Sequence, residues 1–212
     1  MSPIFDFFFK QYEAYETFHI VLEIVAVFFG LLSVICSKQN NIWVYPTGMV
    51  STAIFVYLLI LWGLIGDMLI NIYYFMMSVY GWYIWTRKVD AEHVTPISIM
   101  TKKEHKISIV IFSTTLLFVF VVYQLFDKWT SWTAYVDTVT TAVFFVGMWL
   151  MAKRKVENWI YWIVGDIISV PLYFYKGFTF TSFQYLIFTF IAIFGYSAWK
   201  KSLNKNPQTL LK

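Results

Sequence analysis

Charged residues are scarce in this sequence. Asp, Glu, Lys and Arg together make up 13% of the 212 residues, whereas they make up about 25% of an ordinary soluble domain. Hydrophobic residues make up 59%, and Phe, Trp and Tyr alone make up 22%. So little charge cannot cover the surface of a soluble domain. The composition therefore excludes an ordinary soluble protein and predicts one that crosses a membrane several times.

Signatures of enzymes and of nucleotide-driven pumps are also missing. One cysteine, Cys36, and three dispersed histidines offer neither an intramolecular disulfide nor a metal cluster. The sequence has no glycine-rich phosphate loop, no G-x-S-x-G elbow and no H-E-x-x-H motif, and its longest predicted loop, 87–106, is too short for a nucleotide-binding domain. We expect no enzyme activity, no cofactor and no metal. Membrane orientation explains the net charge of +4 better than nucleic-acid binding does.

Long hydrophobic runs are what the sequence has instead. Each run holds about 20 residues, enough for a helix to cross the hydrocarbon core, and only helices or closed barrels satisfy the backbone there. The runs lie at 19–37, 43–63, 67–86, 107–126, 132–152, 158–176 and 179–200. They predict an all-α integral membrane fold with seven transmembrane helices. Residues 1–18 mix aromatic and charged residues and are predicted to form an amphipathic segment at the interface.

Lysine and arginine are unequally divided between the two sides of the predicted membrane. The side of the N-terminus receives three lysines, and the opposite side receives the other thirteen basic residues. Because basic residues accumulate in cytoplasmic loops, the N-terminus is predicted outside. The loop 87–106 and the tail 201–212 are then cytoplasmic.

An internal repeat relates the two halves of the chain. A shift of 117 residues aligns matching residues in the first two helices of each half, and a shift of 114 does so in the third. The matches are Gly30 with Gly147, Lys38 with Lys155, Asn41 with Asn158, Gly48 with Gly165, Gly81 with Gly195, and Trp85 with Trp199. This pattern predicts three-helix repeats at 19–86 and 132–200, joined by a linker helix at 107–126. The resulting 3+1+3 plan has parallel repeats, with a substrate site between them near the midplane.

The sixth span carries the strongest candidate site. At helical spacing, one face of it presents five residues, namely Trp159, Trp162, Asp166, Ser169 and Tyr173. The carboxylate of Asp166 lies near the bilayer midplane, where it is costly without a partner, and the two indoles beside it could bracket a flat ring. An interfacial position is an equally good interpretation of Trp159. At a shift of 117 the first-half positions matching Trp162, Asp166 and Ser169 are Tyr45, Met49 and Thr52, so the charge belongs to the second half alone.

Polar residues in neighbouring spans complete the predicted site. The third span has an aligned stripe consisting of Asp67, Asn71, Tyr74, Ser78 and Trp82. Asp67 is interpreted first as a helix cap. We expect Tyr74 to help close the site, while Asn71, Asp137 and Gln184 hydrogen-bond the polar tail of a substrate. The site is therefore expected to be a single asymmetric one, dominated by the fifth to seventh helices.

The motif Trp159-Ile160-Tyr161-Trp162, together with the repeated Gly-x-x-x-Trp ends and the duplicated plan, resembles the Pnu family of bacterial vitamin transporters. The resemblance implies an architecture similar to that of the SWEET sugar carriers. It also implies facilitated diffusion without ion or nucleotide coupling, trapping of the vitamin by a cytoplasmic kinase, and a homotrimer in the bacterial inner membrane.

Substrates of the Pnu family include nicotinamide riboside, thiamine and riboflavin. The first two carry a positive aromatic ring, which suits a carboxylate and indole faces through charge pairing and cation–π attraction. Nicotinamide riboside is therefore the expected substrate, and thiamine is the alternative. Neutral riboflavin fits less well, and an aromatic-lined channel for small solutes is the remaining, weaker alternative.

Overall fold

The computed structural model describes residues 16–63, 65–87, 95–129, 131–176 and 179–205, and nearly all of them are helical. The helices are α1 (Thr17–Lys38), α2 (Val44–Leu61), α3 (Ile65–Thr86), α4 (Lys102–Leu125), α5 (Thr133–Ala152), α6 (Asn158–Tyr175) and α7 (Thr179–Lys205). The predicted all-α fold with seven helices is confirmed in this part of the chain. Most of the predicted interfacial segment at 1–18 lies outside the described residues.

The loop predicted at 87–106 is shorter in the structure, because α4 begins at Lys102. Thr101 caps this helix: its side chain accepts a hydrogen bond from the Glu104 amide at 3.3 Å, and the Glu104 carboxylate accepts one from the Thr101 amide at 2.8 Å. This reciprocal pair is a capping box, which satisfies two amides that a helix start leaves free. The predicted polar loop therefore supplies the first turn of α4.

The segment before α4 is tied to the turn between α5 and α6. The Ser98 amide donates to the Arg154 carbonyl, and the Val156 amide donates to the Ser98 carbonyl, both at 3.0 Å. The Lys155 ammonium also lies 3.0 Å from the Glu104 carboxylate. Through these contacts the connection between the two halves is fixed to the second half.

Five of the helices are long and apolar enough to cross a membrane, namely α1, α2, α4, α5 and the part of α7 from Ser182 to Asn204. Helices α3 and α6 have the length but also carry inward-facing polar residues such as Ser78 and Asp166, both buried. Large apolar side chains cover the outside of the bundle, and Ile109 and Leu117 of α4 are 66% and 64% exposed. A surface of this kind suits lipid, so the protein is a multi-pass membrane protein.

The helices pack as two triplets and one outer helix. Helix α2 packs on α1 and α3, and α6 packs on α5 and α7 in the same way. The triplets meet where α1 packs on α7 and where α3 packs on α5, while α4 packs mainly on α5. The space between the triplets is therefore bounded by six helices and excludes α4.

The turn joining α1 to α2 has the same hydrogen bonds as the turn joining α5 to α6, displaced by 114 residues. The Asn41 amide donates to the Cys36 carbonyl and the Lys155 amide to the Leu150 carbonyl, each at 2.9 Å. Asn40 and Arg154 occupy the same left-handed conformation, with φ of 55° and 57°. The predicted shift of 117 in the first two helices is wrong, because it aligned identical residue types rather than helix ends. At 114 the positions matching Trp162, Asp166 and Ser169 are Gly48, Thr52 and Phe55.

The end of the bundle where α1, α3, α5 and α7 terminate carries most of the basic residues and is called here the basic end. The Trp85 indole donates to the Met151 carbonyl at 3.3 Å, and the Trp199 indole donates to the Ser37 carbonyl at 3.1 Å. Both donors and both acceptors are 114 residues apart, so each triplet bonds the other through equivalent groups. The Arg154 guanidinium lies 4.3 Å from the Trp85 ring centroid. This buried cluster closes the basic end.

Candidate functional site

A cavity of about 260 Å³ lies between the two triplets. All six helices of the triplets contribute to its wall, and α4 contributes none. The lining residues of the first triplet are Gly30, Ser33, Val34, Ser37, Val44, Gly48, Ser51, Thr52, Tyr74 and Ser78. Those of the second are Phe144, Met148, Met151, Trp159, Trp162, Asp166, Tyr185, Phe188 and Ala192.

Asp166 is the one charged residue among these described lining residues. It is 2% exposed, and it makes no ion pair or hydrogen bond with any residue that the structure describes. Gly165 lets α6 come close to α5 here, since a Cβ at that position would lie 2.3 Å from the Phe144 ring. A carboxylate held in an apolar wall without a partner favours a cationic or hydrogen-bond-donating ligand.

Aromatic rings lie beside this carboxylate. The Trp162 and Phe144 rings are stacked, with centroids 5.4 Å apart and planes at 29°. Phe144 is also nearly parallel to Tyr185, at 6.0 Å and 10°. The second triplet thus presents stacked ring faces close to the one negative group, which is an arrangement suited to a flat cationic ring.

Trp159 lies deeper, between the cavity and the basic end. It is 2% exposed, it meets Trp199 edge-on with centroids 5.6 Å apart, and its indole N–H has no hydrogen-bond partner among the described residues. An interfacial position for Trp159 is therefore wrong, because the ring is enclosed by the helix bundle. A side chain that contacts the cavity and also leaves a buried donor free could reach a ligand.

Of the nine residues predicted from the sequence, the structure brings Tyr74, Trp159, Trp162 and Asp166 to the cavity wall. Two of the other predicted residues lie on the same face of α6 but beyond the end of the cavity. Ser169 is buried, and its hydroxyl has no hydrogen-bond partner in the described part of the chain. Tyr173 stacks on Tyr185, with centroids 5.1 Å apart and planes at 29°.

The remaining three predicted residues are also outside the cavity wall. Asp137 forms an ion pair with Lys176 at the far end of α6. The Asn71 side chain donates a hydrogen bond to the Asp67 carbonyl of its own helix at 3.0 Å. Gln184 lies on α7 one residue before the lining residue Tyr185, and it is not part of the cavity wall.

Sequence reasoning missed the hydroxyl groups of the first triplet. Ser33, Ser37, Ser51 and Thr52 line the cavity, although none of them was a predicted site residue. A signal existed: Ser33 and Ser37 are four residues apart in the apolar stretch that follows Glu23, which places them on one face. The first triplet contributes no charged residue to the cavity wall.

Comparison with known proteins gives consistent matches over most of the chain. The sequence model of a family described as nicotinamide mononucleotide transporter matches residues 20–201. The chain is 25% identical over 217 residues to the nicotinamide riboside transporter PnuC of Escherichia coli (strain K12), covering 90% of this chain and 89% of that protein. It is also 25% identical over 210 residues to the riboflavin/roseoflavin transporter RibM of Streptomyces davaonensis, covering 94% and 95%.

A solved structure has a similar fold. The crystal structure of the vitamin B3 transporter PnuC matches with a TM-score of 0.63 at 22% identity, covering 87% of this chain and 82% of that one.

Proposed function

The chain belongs to the nicotinamide mononucleotide transporter family, and we propose that it carries nicotinamide riboside across the bacterial inner membrane by facilitated diffusion. Membership of this family confirms the prediction that the chain is a vitamin transporter of the Pnu type. Two named relatives bear on the choice of substrate: one is a nicotinamide riboside transporter and the other a riboflavin/roseoflavin transporter. The cavity wall supports the first of these.

The observation that carries the proposal is the solitary carboxylate of Asp166 beside stacked rings. Nicotinamide riboside has a positively charged pyridinium ring, which can neutralise Asp166 and lie against Trp162. A cation over an aromatic face contributes about 0.5 to 2 kcal/mol. Riboflavin has no positive charge to pair with the carboxylate. The cavity of about 260 Å³ is also slightly smaller than the roughly 300–1,000 Å³ of drug-sized sites, which favours a single ring with a sugar over three fused rings.

Thiamine is the second candidate, because its thiazolium ring is also cationic. It satisfies the charge argument as well as nicotinamide riboside does. It carries a second ring and a single hydroxyl in place of the sugar, however, so the two vitamins differ in what the first triplet must contact.

We assign direct contact with the substrate to Tyr74, Trp159, Trp162 and Asp166. The other predicted residues are proposed to act indirectly, since they lie just beyond the cavity. Tyr173 stacks on the lining residue Tyr185, and Ser169 and Gln184 flank lining residues on α6 and α7. Asn71 and Asp137 are proposed to contact substrate only while it enters from the end of the bundle opposite the basic end.

The proposed architecture is the 3+1+3 plan of parallel repeats found in SWEET-like carriers, with repeats at 19–86 and 132–200 and α4 as the linker. Recurrence of the turn bonds and of the tryptophan bonds at 114 residues supports it. The distribution of basic residues supports an outside N-terminus and a cytoplasmic C-terminus. A homotrimer and trapping by a cytoplasmic kinase are proposed from family membership.

Isothermal titration of the purified protein with nicotinamide riboside, thiamine and riboflavin tests the substrate. At about 4 Å and an effective dielectric constant of about 20, two unit charges attract by roughly 4 kcal/mol, and desolvation offsets part of this. Asp166→Asn should therefore weaken binding of nicotinamide riboside by at least about tenfold, or about 1.4 kcal/mol. Asp137→Asn is the matched control for equilibrium affinity, because that carboxylate is paired with Lys176 outside the cavity and is proposed to contact substrate only during entry. Equal affinity of the Asp166→Asn variant and the wild type would refute charge pairing.

Counterflow in proteoliposomes tests the mode of transport. A carrier with one enclosed site should saturate, and unlabelled substrate on the opposite side should accelerate uptake of label. An aromatic-lined channel would give uptake that is linear in substrate concentration and shows no acceleration.

A further inference from the structure

Five serine and threonine side chains line the cavity, and all of them belong to the first triplet. They are Ser33, Ser37, Ser51, Thr52 and Ser78, which are called here the hydroxyl wall. The second triplet supplies one hydroxyl to the cavity, the phenol of Tyr185, and otherwise mainly rings and methionines. A ligand in the cavity therefore meets aromatic faces on one side and small polar groups on the other.

The hydrogen bonds of the hydroxyl wall determine what it can recognise. Ser33 donates to the Val44 carbonyl at 2.7 Å, Thr52 to the Gly48 carbonyl at 2.8 Å, and Ser78 to the Tyr74 carbonyl at 2.8 Å. A hydroxyl has one hydrogen and two lone pairs, so a group that donates to the backbone can still accept. These three side chains are therefore acceptors for a ligand that brings its own donors.

Two members of the hydroxyl wall differ from this pattern. The Ser37 hydroxyl donates to the Met151 sulfur at 3.2 Å, which is a weak acceptor. The Ser51 hydroxyl makes no hydrogen bond with the described residues and can therefore both donate to a ligand and accept from it. Ser51 is thus the most available member of the hydroxyl wall.

Helix packing alone does not require these hydroxyls. At an offset of 114 residues, the helix bounds of the second triplet match those of the first except at the start of α5 and the end of α7. The positions matching the hydroxyl wall carry no hydroxyl. These positions are Gly147, Met151, Gly165, Asp166 and Ala192. Since an equivalent set of helices packs without hydroxyls at these places, ligand contact is the better explanation of the wall.

The second triplet also has bulkier side chains than the first at several matching positions in the cavity wall. Gly30 matches Phe144, Val34 matches Met148, and Gly48 matches Trp162. At these lining positions the second triplet therefore has the bulkier side chain. Rings therefore dominate the side of the cavity formed by the second triplet, and small side chains are more frequent on the side that carries the hydroxyls.

We propose that the hydroxyl wall binds the sugar hydroxyls of the substrate and determines specificity for a riboside, while the second triplet holds the cationic ring. This inference rests on the proposed function and adds the orientation of the substrate between the triplets. A ribose brings several hydroxyl donors to a surface made mostly of acceptors. Thiamine brings only one, so the hydroxyl wall should favour the riboside.

The test measures affinity for nicotinamide riboside and for its 2′,3′-dideoxy analogue by titration calorimetry. A ligand that binds too weakly for direct titration is added at high concentration as a competitor of nicotinamide riboside. Ser51→Ala and Thr52→Val should each weaken binding of nicotinamide riboside by about threefold to tenfold, the effect of one lost hydrogen bond. Neither should change affinity for the dideoxy analogue. Thr52→Ser keeps the hydroxyl and should restore wild-type affinity, which separates loss of the hydroxyl from loss of folding.

Thr189→Val is the matched control. Thr189 is buried and donates to the Tyr185 carbonyl four residues earlier at 2.9 Å, as Thr52 does to Gly48, but it does not line the cavity. The affinity of the Thr189→Val variant for both ligands should equal that of the wild type. Unchanged riboside affinity in both wall variants, or an equal loss for the dideoxy analogue, overturns the inference and leaves the proposed function standing. Failure of the wild type to bind the riboside refutes both.

Discussion

A methyl group added at Gly195 should displace a ring that lines the cavity. The Cβ of an alanine at this position would lie 2.6 Å from the Cη2 and Cζ2 atoms of Trp159, so the far edge of the indole must move by about 1 Å to reach ordinary contact at roughly 3.5 Å. Trp159 is enclosed, with Trp199 edge-on to it, and overpacking of this kind costs about 1 to 3 kcal/mol. Gly195→Ala should therefore reduce both stability and substrate affinity.

Gly81 offers a matched control at the equivalent position of the first triplet. An alanine there would place its Cβ 2.3 Å from the Tyr45 ring, so the steric cost should be similar or larger. Tyr45 does not line the cavity. Gly81→Ala should thus lower the melting temperature about as much as Gly195→Ala does, while leaving the affinity of the folded protein nearly unchanged.

Thermal unfolding in detergent and titration with nicotinamide riboside at low temperature measure the two effects separately. If moving the Trp159 ring removes most of a ring contact of about 0.5 to 2 kcal/mol, affinity should fall about twofold to thirtyfold in Gly195→Ala alone. Equal affinity of the two folded variants would show that the position of Trp159 does not matter for binding.

Two further predictions concern individual tryptophans. Trp162→Ala should lower affinity for a cationic vitamin by about tenfold, since about 1.4 kcal/mol of stacking is lost; a retained affinity in titration calorimetry would exclude the ring contact. Trp85→Phe and Trp199→Phe each remove one buried indole donor and should cost about 0.5 to 1.5 kcal/mol of stability. Trp82→Phe, at a side chain that is 45% exposed, is the control for their melting temperatures, and equal melting temperatures of all three variants would contradict the proposed role of the two bonds.

The number and positions of the helices could be predicted from sequence, because each hydrophobic span has the length that a membrane helix needs. The central carboxylate could be predicted as well. A charge such as Asp166 in the middle of an apolar span is conspicuous, and its cost requires a reason. The stripe on α6 is also on the correct face, since Trp159, Asp166 and Ser169 are all buried.

The extent of the cavity could not be predicted. The stripe from Trp159 to Tyr173 is about 21 Å long at 1.5 Å per residue, and the cavity reaches only as far as Asp166. Where the space ends depends on rings contributed by other helices, such as Tyr185 stacked on Tyr173, and sequence spacing does not contain that information.

The hydroxyl wall could not be predicted either, for a different reason. Serine and threonine in membrane helices usually donate to their own backbone, and Thr52 and Ser78 do so here. A hydroxyl with this bond looks the same in sequence whether or not a cavity lies beside it. Only the offset of 114, taken from the helix ends, reveals that the two triplets differ there.

The crossed indole bonds at the basic end have a consequence for movement. Trp85 donates a hydrogen bond to the last turn of α5, and Trp199 donates one to the last turn of α1. Each triplet is therefore bonded to the other at an equivalent place. A rotation of one triplet away from the other stretches both bonds in the same instant. The transporter should accordingly open at the basic end in one concerted step, with no intermediate in which only one of the two tryptophan hydrogen bonds is broken.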